Sequence, residues 1–235
     1  PLPMRRDDRR RDRDENIELI LEACRDQGVT SPISQAAILA IVSKESNFAP
    51  KAEKSYATST VAYIREIYGL SAYSDDEIEK AKKDPDEFWE MVYGVGSPQA
   101  KGLGNTEPGD GGKFRGRGYN QITGRDKYER YGKLFGVDLV ADPELLNERA
   151  LATKVLVAYM KNCIAILAAN GRLQADYGTT DINGFADLET AVYAFYNCNA
   201  GVGTSLNTIK GDKTGGLQRA LANAPGLLAE IEAEQ

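Results

Sequence analysis

Glu45, Glu53 and the stretch from Gly109 to Gly132 hold the residue types from which an acid–base site can be built. The chain contains no histidine. That excludes Ser-His-Asp and Cys-His catalysis and the usual His-based zinc sites. Proton transfer must therefore fall to Asp, Glu, Lys, Tyr or Cys. Positions 38, 41, 42 and 45 share one face of a helix, and the first three are Ile38, Ile41 and Val42. Glu45 ends that apolar stripe near a helix C-terminus, where desolvation and the helix dipole both favour its protonated form. A general acid at neutral pH needs such a raised pKa. The alternative is that the helix frays before Ser46 and Glu45 points to water. Glu53 follows in a polar loop beside Lys51 and Lys54. Those cations are expected to keep it ionised, as a general base must be, although alone it reads as an ordinary surface glutamate. Two carboxylates in opposed environments are the minimum set for glycoside hydrolysis.

The stretch GDGGKFRGRGYNQITGRDKYERYG packs seven glycines, four arginines and four aromatics into 24 residues. It fails as a dinucleotide fingerprint, because Gln121 stands where a third glycine is needed, and no Gly-Lys-Ser/Thr is present. Arg115, Arg117 and Tyr119 could touch RNA, but the net charge of −6 gives nucleic acid a poor electrostatic case. A sugar cleft suits the composition better. Glycine lets backbone approach a bulky ligand, Arg, Asn, Gln and Thr bond hydroxyls and acetamides, and Tyr offers a flat face.

The elements that must position these residues read as mainly α. Ile17, Ile20, Leu21 and Cys24 mark a helix from Asp14 to about Gln27, after a mixed-charge run read as a solvated arm. A second helix is expected from Ser34, its cap, to about Ser46. Others are expected over 60–68, 75–83, 85–93, 124–135, 187–197 and 215–224, with one long helix, broken or not, over 143–170. Residues 94–113 read as a long loop, and Lys113 to Gln121 as a short hairpin or extended segment. Cys24, Cys163 and Cys198 are odd in number and widely spaced. They are expected as buried structural thiols, with no disulfide scaffold and no zinc site. No apolar run approaches the length of a membrane span, and the N-terminus shows no signal-peptide core.

FRGRGYNQITGRDKY, Phe114 to Tyr128, resembles the signature of glycoside hydrolase family 19, which comprises chitinases and related phage and bacterial endolysins. Members show Arg-Gly-Arg-Gly, two residues, Gln, an aliphatic residue and Thr or Ser, often followed by Gly-Arg and an aromatic. KESNF (Lys44 to Phe48) resembles the segment around the family's catalytic acid, and EKSY (Glu53 to Tyr56) the segment holding its second glutamate. VYG, GN and GDG before the signature, and NAG (Asn199 to Gly201) and GLQR (Gly216 to Arg219) after it, follow in the family's order. The chain departs from the pattern at Lys44, where the family has His, at Lys127 and at Ala200, and its acid-to-base spacing is slightly short.

The resemblance implies a lysozyme-like fold of two helical lobes around a glycan cleft with a small β-hairpin. Residues 31–235 would form the catalytic domain behind an arm and helix over 1–30. Glu45 would be the general acid and Glu53 the base that activates water, with Glu66 the alternative carboxylate. Thr123 would help hold that water. Tyr119 and Gln121 would line sugar subsites. Tyr56 would also face substrate, and Arg117, Asn199 and Arg219 would tie lobes and carboxylates together or touch it. The mechanism would invert the anomeric centre, without cofactor or metal.

Chitin and peptidoglycan share β-1,4-linked N-acetyl sugars. The short core without a visible signal peptide resembles a phage endolysin, so the expected substrate is the peptidoglycan backbone between MurNAc and GlcNAc. The enzyme would act as a monomer, with no nucleic-acid partner and no stable membrane insertion. It would be made in the host cytoplasm and reach the wall in the periplasm, or travel with the virion. A chitinase and an inactive glycan-binding protein are the alternatives.

Overall fold

The computed structural model describes residues 6–43 and 48–235. Among them the chain is mainly α, with thirteen α-helices and no named strand. It forms two compact units, Pro1–Ala49 with Arg149–Gln235, and Pro50–Glu148. The boundary expected near residue 30 does not divide them.

The first unit opens with α1, Arg6–Asp26. The mixed-charge run expected as an arm is therefore helical from Arg6. Arginine is a good helix former, Asp7 and Asp8 complement the first turn, and Arg13 reaches Glu230 at 3.0 Å. Helix α2, Pro32–Ile41, is capped by Ser31 rather than Ser34, with Pro32 in the first turn. Every residue from Ser34 to Ile41 is buried, the pattern of a central core helix. It ends at Ile41, short of the expected Ser46. Glu45 lies outside the described residues.

The second unit builds α3, Val61–Tyr68, α4, Asp75–Ala81, and α5, Pro85–Tyr93. Each has a side-chain cap, from Thr60, from the Ser74–Glu77 capping box and from Asp84 respectively. Their apolar faces meet in a core of Tyr56, Ile64, Ile78, Phe88, Trp89 and Val92. The expected loop over 94–113 contains two short helices, α6, Ala100–Leu103, and α7, Asp110–Lys113. Helix α7 lies so close on α5 that a Cβ on Gly111 would stand 2.4 Å from the Gly94 nitrogen and 2.7 Å from the Trp89 carbonyl. The expected hairpin is reduced to one antiparallel rung, Arg117 with Ile122. Left-handed backbone at Gly118 and Gln121 closes the turn, and the chain enters α8, Arg125–Phe135, directly afterwards.

A 3-10 turn over Pro143–Asn147 and extended Glu148 supply the break for which the expected long helix left room. The chain then returns to the first unit through α9, Arg149–Ala169, α10, Arg172–Tyr177, α11, Leu188–Ala200, α12, Leu206–Lys210, and α13, Gly216–Ala233. Contrary to the sequence expectation, α9 is long and apolar enough to cross a membrane. It packs on α1, α10 and α11 with Leu156, Met160 and Leu167 fully buried, as a core helix does.

Cys163 on α9 and Cys198 on α11 form a disulfide, so the expectation of free thiols fails for two of the three cysteines. Cys24 is free and buried, and burial pushes its thiol up to about 12, which leaves it inert. The disulfide spans 35 residues of sequence. Chain entropy for a loop of that size corresponds to about 4 kcal/mol of stability. Reduction should therefore lower the melting temperature by about 10 °C. Thermal unfolding with and without phosphine reductant checks this, and Cys163→Ala/Cys198→Ala should melt with the reduced protein and ignore the reductant.

Candidate active site

Glu53 lies in the second unit, where residues 51–53 run beside 116–118. The Lys51 amide donates to the Gly118 carbonyl at 3.5 Å and the Glu53 amide to the Gly116 carbonyl at 2.9 Å. The Glu53 carboxylate then folds back on the same backbone. Its Oε2 accepts from the Gly116 amide at 2.5 Å, and its Oε1 accepts from the Tyr93 hydroxyl at 3.5 Å. Only glycine permits this, because a Cβ at position 116 would sit 2.3 Å from Oε2. Trp89 stacks on Tyr93 with ring centroids 5.3 Å apart and fixes the hydroxyl's direction.

Burial raises the pKa of Glu53 above the ordinary carboxylate value. The Gly116 amide, the Tyr93 hydroxyl and the charges of Arg115 and Arg117 work against that rise without cancelling it. The cations that favour its ionised form are Arg115 and Arg117 rather than its sequence neighbour Lys54. Lys54 Nζ sits instead over the rings of Tyr56 and Tyr63, at 5.1 and 5.9 Å. Glu53 is thus a half-buried carboxylate with an elevated proton affinity, which makes it a stronger base than a surface glutamate.

Gln121 lies against the same glycine. Its Nε2 donates to the Lys51 carbonyl at 2.8 Å and the Gly118 carbonyl at 3.2 Å. Its Oε1 would be 2.8 Å from a Cβ at Gly116. Its φ of +52° is uncommon for a side-chain-bearing residue, and strain of this kind collects at functional sites. Thr123 is half-buried and its hydroxyl donates to the Gln121 carbonyl at 3.0 Å. Tyr119 is half-buried on the same turn. The structure therefore brings Glu53 and Gln121 together on Gly116, with Tyr119 and Thr123 on the connecting segment.

Arg117 and Tyr56 have other work. Arg117 is 2% exposed and is held inside the second unit. Its Nε and Nη2 donate to Glu144 at 3.0 and 2.7 Å, and its Nη1 to the Lys113 carbonyl and the Tyr128 hydroxyl at 2.7 and 3.0 Å. With its donors consumed by protein acceptors, it shapes the loop rather than offering bonds to a ligand. Tyr56 is buried among Tyr68, Phe88 and Trp89, and its hydroxyl accepts from Tyr68 at 3.1 Å. Arg117 thus ties a carboxylate, one of the two roles expected of it, while the ring and hydroxyl of Tyr56 are engaged in the core. Asn199 is half-buried in the last turn of α11, and Arg219 is exposed in the first turn of α13, both in the first unit. Glu66 is an exposed residue of α3.

Sequence reasoning missed three structural anchors. Glu144 receives Arg117 and, at 3.7 Å, Arg115. Asp110 accepts from the Thr106 and Glu107 amides at 3.0 Å and from Arg125 at 2.8 and 2.9 Å. Burial opposes its ionisation, yet these bonds hold its carboxyl below the usual range. Asn197 is fully buried and bonds Tyr177, Arg172 and the Gly201 and Thr204 carbonyls. Its place on the apolar stripe of α11 was the available signal.

A cavity of about 570 Å³ opens between Asp86, Lys113, Arg115, Arg117 and Glu144, and Glu53 is not in its wall. In the extended segment, Arg115 and Arg117 project away from the Gly116 side that meets Glu53. The cavity therefore belongs to the ion-pair network behind the loop. Among the described residues no group of three His, Cys, Asp or Glu side chains is placed to hold a metal ion.

No family model matches the chain. Over 61 residues, 26% of its length, it is 43% identical to a glycosyl hydrolase family 19 domain-containing protein of Haemophilus influenzae. The match spans 30% of that relative's length. The likeness supports glycoside hydrolase chemistry at the level of the family.

Proposed function

We propose that the chain hydrolyses the β-1,4 glycan backbone of bacterial peptidoglycan, between MurNAc and GlcNAc, by an inverting single displacement, and that it serves as an endolysin. The observation that carries this reading is Glu53, a half-buried carboxylate of raised pKa pinned to the glycine of an Arg-Gly-Arg-Gly loop. In this reading Glu53 takes a proton from water as the water attacks the anomeric carbon. Thr123 helps to hold that water, and Gln121 and Tyr119 meet the sugars. Glu45 gives its proton to the departing glycosidic oxygen. Inversion needs the two carboxyl groups about 6.5–9.5 Å apart, with water between them and the ring. Action on the wall in the periplasm agrees with the Cys163–Cys198 disulfide, since disulfides persist in oxidising compartments.

The test is digestion of purified Gram-negative sacculi, with borohydride reduction and mass spectrometry of the products. New reducing MurNAc ends are expected, and Glu45→Gln should abolish them while the fold persists. Reducing GlcNAc ends would make the enzyme a glucosaminidase. Intact sacculi with chitohexaose cut in parallel would make it a chitinase, and no cleavage of either would leave a binding protein.

A further inference from the structure

Five large apolar side chains are exposed among the described residues, and two of them, Tyr63 and Ile67, stand one turn apart on α3. Each is 44% exposed. The Tyr63 ring lies 6.5 Å from that of buried Tyr56, and the Lys54 ammonium rests over both. Lys54 is exposed and has no carboxylate partner in the second unit among the described residues. It directly follows Glu53 in the chain. An aromatic face, an aliphatic neighbour and a cation with no carboxylate partner among the described residues of its unit thus adjoin the segment that carries the proposed base.

We propose that Tyr63, Ile67 and Lys54 form an outlying subsite for the peptidoglycan strand. An N-acetylhexosamine ring would lie on Tyr63 and Ile67, and Lys54 would meet a carboxylate of the peptide stem that the strand carries. This rests on the reading given under the proposed function and adds the feature by which the site would tell its substrate from chitin. Both polymers offer the same pyranose faces, but chitin has no carboxylate. Tyr63 serves either polymer, and Lys54 serves only the one with stems. An exposed ion pair is weak and screened by salt, so Lys54 would bias the choice while Tyr63 supplies the grip.

The test is co-sedimentation of the full chain carrying Glu53→Gln, which removes turnover, with purified sacculi and with chitin beads. Added Tyr63→Ala should weaken sacculus binding about tenfold, the loss expected when a buried aromatic contact of about 1.4 kcal/mol is removed. Tyr63→Phe should bind like the parent. Lys54→Met should weaken sacculus binding up to about fivefold at low salt, leave chitin binding unchanged, and make no difference at high salt. Parent-like sacculus binding by Tyr63→Ala or by Lys54→Met at low salt would overturn the subsite, while cleavage of sacculi by the unmodified chain would still uphold the function. If the unmodified chain neither binds nor cleaves sacculi, the function fails and the subsite with it.

Discussion

Replacing Glu53 with glutamine should cost the protein about a thousandfold in turnover, within the range for loss of a general base, and yet make it more stable at neutral pH. Both effects come from one fact. Burial makes the charged form of Glu53 costly, and its neighbours only partly offset that cost. The folded pKa lies above the unfolded value. Just above the ordinary carboxylate range the folded chain therefore keeps a proton that the unfolded chain has released, and stability falls as pH rises through that window. Glutamine carries no charge and removes the penalty. It also fits the bonds present, since its Oε1 can accept from the Gly116 amide and its NH2 can donate to the Tyr93 hydroxyl. The measurement is thermal unfolding of both proteins at pH 4.5 and pH 7, beside a sacculus assay. The two melting temperatures should nearly coincide at the lower pH, and the variant's should be higher at the upper one. A variant that melts lower at pH 7 would mean that the carboxylate's hydrogen bonds outweigh its desolvation. The wild-type rate should fall on the acid side with a midpoint above the pH at which an ordinary glutamate titrates.

What the sequence made legible divides along the line between local and distant causes. Helices α3, α4 and α5 were readable because Thr60, Ser74 with Glu77, and Asp84 with Pro85 stand beside the turns they cap. Helices α6 and α7 were not readable. They are short and glycine-rich, and α7 is held by tertiary partners, among them Glu90, which accepts from the Gly111 amide at 2.9 Å. The site shows the same division. Gln121 and Thr123 were marked by the resemblance of the Arg-Gly-Arg-Gly stretch, a local pattern, whereas the part of Gly116 in seating Glu53 was not. That Arg117 would be consumed by Glu144 depended on a residue 27 positions away, with no periodicity to announce it. The Cys163–Cys198 pair, 35 residues apart on two helices, was hidden for the same reason. The cations acting on Glu53 were assigned to its sequence neighbours, but folding sends Lys54 onto two tyrosine rings and puts Arg115 and Arg117 in charge.

Two glycine-to-alanine changes should part the site from the scaffold. At Gly116 the new methyl would stand 2.3 Å from Glu53 Oε2 and 2.8 Å from Gln121 Oε1, both far ends of side chains. The backbone there does not occupy the left-handed region, so alanine is tolerated locally. The carboxylate must swing off the Gly116 amide, and the chain as a whole can stay folded. A misplacement of about 1 Å in a reacting group costs about a hundredfold in rate, and that is the expected loss. Losing the hydrogen bond donated by the Gly116 amide also removes one of the influences that lower the Glu53 pKa. The acid limb of the remaining activity should therefore move to higher pH. At Gly111 the same methyl meets main chain, 2.4 Å from the Gly94 nitrogen and 2.7 Å from the Trp89 carbonyl, and nothing there yields without parting α7 from α5. Gly111→Ala should lower the melting temperature sharply, and any surviving folded fraction should keep the wild-type pH profile. The decisive comparison is rate against pH for Gly116→Ala beside melting curves for both variants. A folded Gly116→Ala with wild-type rate and profile would mean that Glu53 does its chemistry, if any, without the contact that singles it out.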